Sequence, residues 1–397
     1  LSERFGVLPF GELFEPAIHY ARDGYLVSPI TARAWRYAET RYADFPSFKT
    51  TFLPEGRAPR PGEHFRCPDQ AETLERIAET RGEAFYRGDL AERIAAHARE
   101  TGGLMTTEDL AEHEPEWVTP MAQGYRGQSL HEIPPNGQGL AALVALGILQ
   151  HHPVADYPVD SADSVHLQVE AMKLAFAEAY RHIADPAWME VPPEALLDEA
   201  FLADRAKTLD MDEAHFPESA LPTDHGTVYL TAADADGMMA STIQSNYLGF
   251  GSGIVIPGTG ISLQNRGACF NVEEGHPNRV AGGKRPFHTI IPGFVTRNGQ
   301  PEMSFGVMGG PMQPQGHVQM MVRIYDYGQN PQAASDAPRW FVDRDFNLFL
   351  EPGFEPDVVV ELRRRGHHVA PNVGPGRFGG AQLIARLEGG YCAGSDW

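Results

Sequence analysis

The hydrophobic pattern of the chain changes once, near Pro222, and this change restricts the fold more than any other feature of the sequence. Before Pro222, apolar residues recur mainly at the three- and four-residue steps of amphipathic helices, most clearly over residues 161–183. After it, residues 227–233 alternate as in a half-buried strand, a turn follows at 234–237, and 238–244 form the return strand. The pattern predicts one layered α+β domain, with helices concentrated in the first half and sheet in the second.

Other segments are predicted from shorter signals. Residues 74–80 and 90–100 show helical periodicity, and a further helix begins near Thr106, with Asp109 three positions later as its capping partner. Residues 304–308 are predicted to be a strand that ends at a glycine pair, directly before a helix.

Charge and cysteine content exclude several classes of protein. With 53 acidic and 32 basic residues the formal net charge is −21, which argues against nucleic acid and against anionic membrane surfaces as partners. No apolar run approaches the ~20 residues that span a bilayer. Cys67, Cys269 and Cys392 form no CxxC pair, so a zinc knuckle or a disulfide framework is not expected, and a single bridge stays open.

Familiar catalytic motifs are incomplete. The GFGSG stretch at 249–253 is not followed by a helical pattern, and in the GGKR stretch at 282–285 an Arg stands where a P-loop needs Ser or Thr. There is no GxSxG elbow. The histidine pairs at 151–152 and 367–368 lack metal-ligand spacing and are expected to be solvated surface residues.

Thr227 opens the first alternating strand and follows Gly226, and two readings of it are open. As a β-branched residue it suits the start of a strand. If the Gly226–Thr227 bond were cut, its hydroxyl would lie beside a free α-amine that titrates near ~7.7–8.0 and can act as its general base.

The sequence around Thr227 resembles the start of the small subunit of γ-glutamyltransferases. That stretch is TVYLTAAD followed by Asp236-Gly237, and further family landmarks occur in the family's order along nearly the whole chain. They are Phe85-Tyr86-Arg87-Gly88, Gly102-Gly103-Leu104, Tyr125-Arg126-Gly127, Pro134-Pro135, Glu170-Ala171, Lys173-Leu174-Ala175-Phe176, Asp185-Pro186, Gly251-Ser252-Gly253, Lys284-Arg285-Pro286, Gly309-Gly310 and Ser395-Asp396.

The resemblance implies an N-terminal-nucleophile hydrolase with a four-layer αββα sandwich. It implies self-cleavage into a large-subunit portion, 1–226, and a small-subunit portion, 227–397, which together form one αββα unit and stay associated. It also implies that an N-terminal part of the family, with the Arg that holds the substrate α-carboxylate, lies upstream of Leu1.

By position, the resemblance makes Thr227 both nucleophile and base. Gly309 and Gly310 would form the oxyanion hole, which suits small residues at a strand-to-helix turn. Ser245 stands where the family has a hydroxyl residue that hydrogen-bonds the nucleophile.

The substrate pocket departs from the family pattern. Tyr247, Arg266 and Cys269 take the places of the Asn, Gln and acidic residue that hold the glutamyl α-amine, and His288 and Thr289 replace paired serines. Arg266 could bind a carboxylate through both nitrogens, and Thr289 could donate a hydrogen bond. The loop at 270–284 is short, which favours an open site, as in the branch that includes cephalosporin acylases.

The expected function is hydrolysis or transfer of γ-glutamyl groups from amides such as glutathione, with water or an amine as acceptor and no metal or organic cofactor. Two alternatives stay open: a cephalosporin- or glutaryl-type amidohydrolase without γ-glutamyl activity, and a non-catalytic homologue that is never cleaved. A homodimer is compatible with the sequence, and the compartment is left open between periplasmic or secreted and cytoplasmic.

Overall fold

The computed structural model describes residues 1–217, 227–371 and 377–396. Its α-helices are α1 Ser2–Phe5, α2 Glu15–Asp23, α3 Pro29–Trp35, α4 Tyr37–Arg41, α5 Pro46–Phe52, α6 Pro68–Thr80, α7 Glu83–Arg87, α8 Asp89–Glu100, α9 Thr107–Ala111, α10 Gly139–Leu149, α11 Ala162–His182, α12 Glu199–Ala206, α13 Met312–Tyr325, α14 Pro331–Asp336 and α15 Pro356–Arg364. Its strands are β1 Tyr25–Leu26, β2 His64–Phe65, β3 Met121–Tyr125, β4 Gln128–Glu132, β5 Val228–Ala233, β6 Met239–Gln244, β7 Gly293–Arg297, β8 Gln300–Met308, β9 Trp340–Val342, β10 Leu348–Leu350, β11 Gly380–Leu387 and β12 Gly390–Ser395.

The chain divides into two compact units. The first contains residues 1–117 and 250–265, and the second contains 118–249 and 266–397. Each unit has its own cluster of buried apolar side chains. In the first unit this cluster is aromatic: the Trp35 ring packs against Phe65 and Phe250, and its Nε1 donates to the Phe52 carbonyl over 3.1 Å.

A six-stranded antiparallel sheet is the centre of the second unit, with the strand order β12-β11-β8-β7-β4-β3. The β3–β4 hairpin comes from the helix-rich half of the sequence and was not predicted. The alternating burial of β4 and its pairing of Leu130 with Val295 on β7 place it inside the sheet rather than in a helix.

The predicted strand pair at 227–244 forms the separate hairpin β5–β6, which lies against β8. The Tyr229 ring lies on Gly306, where a Cβ atom would approach it to 2.3 Å, so this contact requires glycine. On the same pair of strands, the Thr231 and Ser304 hydroxyls are 2.5 Å apart.

Helices cover the opposite face of the sheet. α13 packs on β8 through Gly316, where a Cβ would lie 2.6 Å from Val307. Because neighbouring strand residues point to opposite faces, Gly306 under the hairpin and Val307 under α13 place these two layers on either side of the sheet. Every residue of α10 is buried, which explains why its sequence, GLAALVALGIL, is apolar on all sides.

The predicted elements are confirmed with small shifts in their bounds. The segment predicted at 161–183 is α11, and the Ser161 hydroxyl accepts from Ser164 N at its start, a cap typically worth ~1 kcal/mol. Thr106 and Asp109 form the expected reciprocal capping box at α9. The strand predicted at 304–308 is the second half of β8.

The structure also decides the expectations for the histidine pair at 367–368 and for the three cysteines. His368 is exposed as expected, but the expectation for His367 was wrong: it is 3% exposed and hydrogen-bonded to buried side chains. Cys67, Cys269 and Cys392 are all free thiols, so the bridge left open by the sequence does not form. Among the described residues, no helix is long and apolar enough to cross a membrane.

Candidate active site

Thr227 directly precedes β5, whose first residue, Val228, pairs with Gln244 on β6. This register places Thr227 beside Ser245, and the Thr227 hydroxyl donates to Ser245 Oγ over 3.3 Å. The Ser245 oxygen also accepts from the backbone N–H of Tyr247 over 2.8 Å. An acceptor on the Thr227 hydroxyl orients its proton away from the attacking lone pair and makes the oxygen more nucleophilic. Gly226, the other side of the expected cleavage site, lies outside the described residues.

Gly309 and Gly310 form the turn between β8 and α13, and both are buried. Their φ angles are +127° and +58°, in the region that favours glycine. A Cβ on Gly309 would lie 3.0 Å from Met312 Cβ and 3.2 Å from Gly379 Cα. The two glycine carbonyls accept from the first N–H groups of α13, Met312 and Gln313, over 3.1 Å each. The turn therefore has no side chain of its own and is bonded to the first turn of α13 through its backbone, which suits the oxyanion-binding role predicted for it.

Arg266 is buried beside three of the predicted pocket residues. Its guanidinium lies over the Tyr247 ring at 4.7 Å, and its Nη1 donates to Thr289 Oγ1 over 2.6 Å. Burial lowers the pKa of Arg266 and raises that of the neighbouring Cys269 thiol. Arginine nevertheless keeps its charge near neutral pH, because its unperturbed pKa is far above 7. The site therefore has a buried positive charge next to a neutral thiol.

His288 is a neutral partner in this pocket. Burial and the positive charge of Arg266 lower its pKa to about 4. Its Nδ1 accepts from the Ile290 N–H over 3.3 Å, so the proton of the neutral ring is on Nε2. The backbone of His288 is held by Asn136 and Gln138, which it bonds on both sides over 2.9 Å.

Sequence reasoning missed Gln138, a fully buried side chain just before α10. Its Nε2 donates to the Thr289 carbonyl over 2.6 Å and to the Gly310 carbonyl over 2.8 Å. One side-chain amide thus connects Thr289, in the predicted pocket, to the glycine turn. The nearest sequence signal is the Pro134-Pro135 landmark, to which the resemblance assigns no role.

These contacts connect the residues that the sequence singled out. Thr227 is hydrogen-bonded to Ser245, and Ser245 accepts from the backbone of Tyr247. The Tyr247 ring in turn packs against the Arg266 guanidinium. From Arg266 the contacts continue to Thr289, and through Gln138 to Gly310. A cavity of about 250 Å³ lies beside Cys269 in the same unit and is also lined by Tyr180, Ile183, Ala268, Phe270, Asn278 and Phe287.

A second cluster of titratable residues combines side chains of α11 with His367, which follows α15. His166, Glu170 and His367 bring potential metal-ligand atoms within 4.8 Å of one another. The Lys173 ammonium is 2.8 Å from Glu170 Oε1 and 3.4 Å from His367 Nδ1. It already supplies the positive charge that a metal ion would bring to this cluster.

Comparison with known proteins assigns the chain to a family. The sequence profile of the γ-glutamyltranspeptidase family matches residues 1–397. The chain belongs to this family. A glutathione hydrolase-like proenzyme of Bacillus subtilis is 36% identical, over 92% of this chain and 70% of the relative. An oxamate amidohydrolase proenzyme of Klebsiella pneumoniae is 37% identical, over 91% of this chain and 69% of the relative.

A solved structure resembles this member of the γ-glutamyltranspeptidase family over its whole length. The cephalosporin acylase from Bacillus halodurans has 46% sequence identity and a TM-score of 0.95, with 100% of this chain and 74% of the acylase covered. The match confirms the α+β fold of the N-terminal-nucleophile type. The family and these relatives are hydrolases and transferases of that type.

Proposed function

We propose that this chain is a self-cleaving acyl transferase and hydrolase that uses Thr227 to cleave γ-glutamyl amides such as glutathione. The observation that carries the proposal is the hydrogen bond from the Thr227 hydroxyl to Ser245 at the head of β5. The family resemblance names this hydroxyl as the nucleophile, and Ser245 is an acceptor for its proton.

Self-cleavage is the first step. Thr227 Oγ1 attacks the Gly226 carbonyl carbon, the peptide C–N bond breaks, and an ester to Thr227 forms as the nitrogen takes up the hydroxyl proton. Water hydrolyses that ester, leaving a carboxylate on Gly226 and a free α-amine on Thr227. The proposed fragments are 1–226 and 227–397, and they stay together because β4 and β7, one from each, are paired within the same sheet.

Turnover uses the same hydroxyl. The Thr227 α-amine accepts the hydroxyl proton as Oγ1 attacks the substrate amide, and the backbone N–H groups of Gly309 and Gly310 stabilise the oxyanion. The amine leaves with the proton, and water or another amine resolves the acyl-threonine. Oxyanion donors of this kind are typically worth ~3–4 kcal/mol in the transition state.

The pocket supports an acyl group that carries a second carboxylate. The Arg266 guanidinium and the Thr289 hydroxyl are 2.6 Å apart and can bind such a group together. Two of the relatives are named for glutathione and oxamate, and both compounds are amides of dicarboxylic acids.

A glutaryl-type amidohydrolase is the second candidate, and the residues around Arg266 favour it. A γ-glutamyl donor brings an ammonium group, which needs an acidic partner when buried. At the position of that partner the chain has Cys269, whose thiol is kept neutral by burial, beside the positive charge of Arg266. The similarity to a cephalosporin acylase is compatible with this reading.

Intact-mass measurement tests the proposal. The wild type is expected to separate under denaturing conditions into 1–226 and 227–397, and Thr227→Ala is expected to remain one chain. A wild type that stays uncut and inert would favour the non-catalytic alternative. Rates of turnover of γ-glutamyl and glutaryl anilides by the cleaved protein then distinguish the two candidate acyl donors. Turnover of the glutaryl compound alone would exclude γ-glutamyl amides as the substrate.

A further inference from the structure

The hairpin β5–β6 turns one face toward the six-stranded sheet, and the Thr227 side chain belongs to that face. The Thr227–Ser245 hydrogen bond continues the register of the hairpin by one step beyond the pair Val228 and Gln244. Because alternate side chains of a strand point to the same side, Thr227 shares its side with Tyr229. Tyr229 is buried, at 4% exposure, whereas Val228 on the other side is 49% exposed. The proposed nucleophile therefore projects toward the sheet.

Two contacts show how this face of the hairpin lies on β8. The Thr231 and Ser304 hydroxyls are 2.5 Å apart, and the Tyr229 ring lies on Gly306. A step of two residues back along β5 is therefore matched by a step of two residues forward along β8. The steps match in length as well, because each strand rises by about 3.3 Å per residue.

The same register leads from Tyr229 to the glycine turn. One further step of two residues brings Thr227 to the level of Met308, the last residue of β8. Gly309 follows directly and begins the turn at which the oxyanion is expected to bind. The contact between Tyr229 and Gly306 therefore lies one step away from the place where the nucleophile meets this turn.

The Tyr229 side chain is held at both of its ends. A Cβ on Gly306 would lie 2.3, 2.5 and 2.7 Å from three carbons of the ring, so the ring packs directly on the backbone of β8. The Tyr229 hydroxyl is 2.8 Å from Ser241 Oγ, which itself donates to the Gly293 carbonyl on β7 over 2.8 Å. Because the Ser241 proton is used in that bond, Tyr229 is the donor to Ser241. Burial raises the pKa of Tyr229, so its hydroxyl keeps the proton that this bond needs.

We propose that Tyr229 is a positioning residue that sets the distance between the Thr227 hydroxyl and the Gly309–Gly310 turn. This inference rests on the proposed function. Because Tyr229 is two residues from Thr227 on the same face, a shift of its ring moves the start of the hairpin relative to the turn. Misplacement of a reacting group by about 1 Å can cost roughly 100-fold in rate. The acyl group is proposed to bind at Arg266, so such a shift should change kcat much more than KM.

Tyr229→Phe tests the hydroxyl end of the side chain, because it keeps the ring on Gly306 and removes the hydrogen bond to Ser241. We expect kcat, for whichever anilide the wild type turns over better, to fall about 3- to 10-fold, since a ring held at one end allows small misplacements. KM should stay within about twofold of wild type. Turnover is counted per cleaved chain, as determined by intact mass, so that slow maturation does not enter kcat.

Tyr327→Phe is the matched control for the lost hydroxyl. Tyr327 lies in the same unit, and its hydroxyl is bonded to Ser164 Oγ over 2.7 Å, which joins the segment after α13 to α11. The control should lower the melting temperature about as much as Tyr229→Phe and leave kcat and KM at their wild-type values. A purely structural role of Tyr229 would make the two variants alike in kcat as well.

Gly306→Ala tests the ring end. Carbon atoms in contact are about 3.5–4.0 Å apart, so a methyl group at 2.3 Å forces the ring or β8 to shift by roughly 1 Å. We expect kcat to fall about 30- to 100-fold, with KM within about threefold of wild type. Gly147→Ala is its control, since a Cβ there would lie 2.6 Å from the buried Leu202 side chain, between α10 and α12. That variant should keep the wild-type kcat.

The outcomes separate the positioning role from the proposed function. Wild-type kcat in Tyr229→Phe or in Gly306→Ala, a rise in KM at unchanged kcat, or an equal fall in kcat in the matching control would overturn the role of Tyr229 and leave the proposed function intact. A wild type that is never cut and turns over neither anilide would overturn both. If Gly306→Ala does not fold, Tyr229→Phe and its control decide the question alone.

Discussion

Gln138 bonds the Gly310 carbonyl from within the core, with its Nε2 donating over 2.8 Å while the same nitrogen donates to the Thr289 carbonyl over 2.6 Å. The amide joins the expected oxyanion turn to the expected carboxylate pocket. Because the side chain is 0% exposed, neither bond competes with solvent. This buried side chain therefore helps to set the relative position of the two halves of the site.

Gln138→Leu should lower kcat for γ-glutamyl anilide by about 10- to 100-fold, because a small misplacement of the glycine turn weakens oxyanion binding. KM should change less than kcat. Steady-state kinetics of the cleaved protein check this, with a melting curve to correct for lost stability. A large rise in KM at unchanged kcat would mean that Gln138 serves only the pocket side.

Gly309→Ala should abolish both self-cleavage and turnover. The φ angle of +127° and the 3.0 Å approach of a Cβ to Met312 force the turn to move. Gly299→Ala is the control, since Gly299 also has positive φ, +74°, but a Cβ there meets no atom within 4 Å. Self-cleavage, followed by intact mass, and anilide turnover should be lost only in Gly309→Ala. Retained turnover in Gly309→Ala would remove the glycine turn from the mechanism.

Arg266→Gln should reduce the preference for acyl groups with a second carboxylate. We expect kcat/KM for glutaryl or γ-glutamyl anilide to fall at least about 10-fold, as for loss of a buried charge-assisted hydrogen bond, while that for butyryl anilide falls much less. The ratio of the two values is the measurement. An equal fall in kcat/KM for both substrates would mean that Arg266 has only a structural role, through its contact with the Tyr247 ring.

His288 should make the folded protein less stable as the solution is acidified. Its pKa is lowered to about 4 in the fold, against 6.5 for an ordinary histidine, so between these values the unfolded chain binds more protons. The free energy of unfolding therefore falls as pH drops from about 6.5 to about 4, and this contribution is fully present above 6.5.

Denaturant titrations across that range test the effect by comparing His288→Gln with wild type. The variant should show a shallower loss of stability with falling pH. His64→Gln, which changes an exposed histidine, should follow the wild-type curve. Parallel curves for wild type and His288→Gln would show that His288 does not contribute to the acid sensitivity.

Local elements of this protein were predictable where one period dominates the sequence. The helix α11 follows from its apolar stripe and its Ser161 cap, and the β5–β6 hairpin from alternation on both sides of a turn. The position of Gly309 and Gly310 between a strand and a helix was predicted for the same reason. The β3–β4 hairpin was not predicted, because its place in the sheet depends on the pairing of β4 with β7, a strand distant in the sequence.

Patterns in the sequence were enough to predict that Thr227 heads a strand, that a glycine pair ends another, and that the chain resembles γ-glutamyltransferases. The pairing of buried polar groups required the folded chain: Gln138 with Gly310, and His367 with His166, 201 positions away. This difference arises because periodicity reports which face of an element is buried. The hydrogen-bond partner of a buried side chain belongs to another part of the chain, and only packing brings the two together.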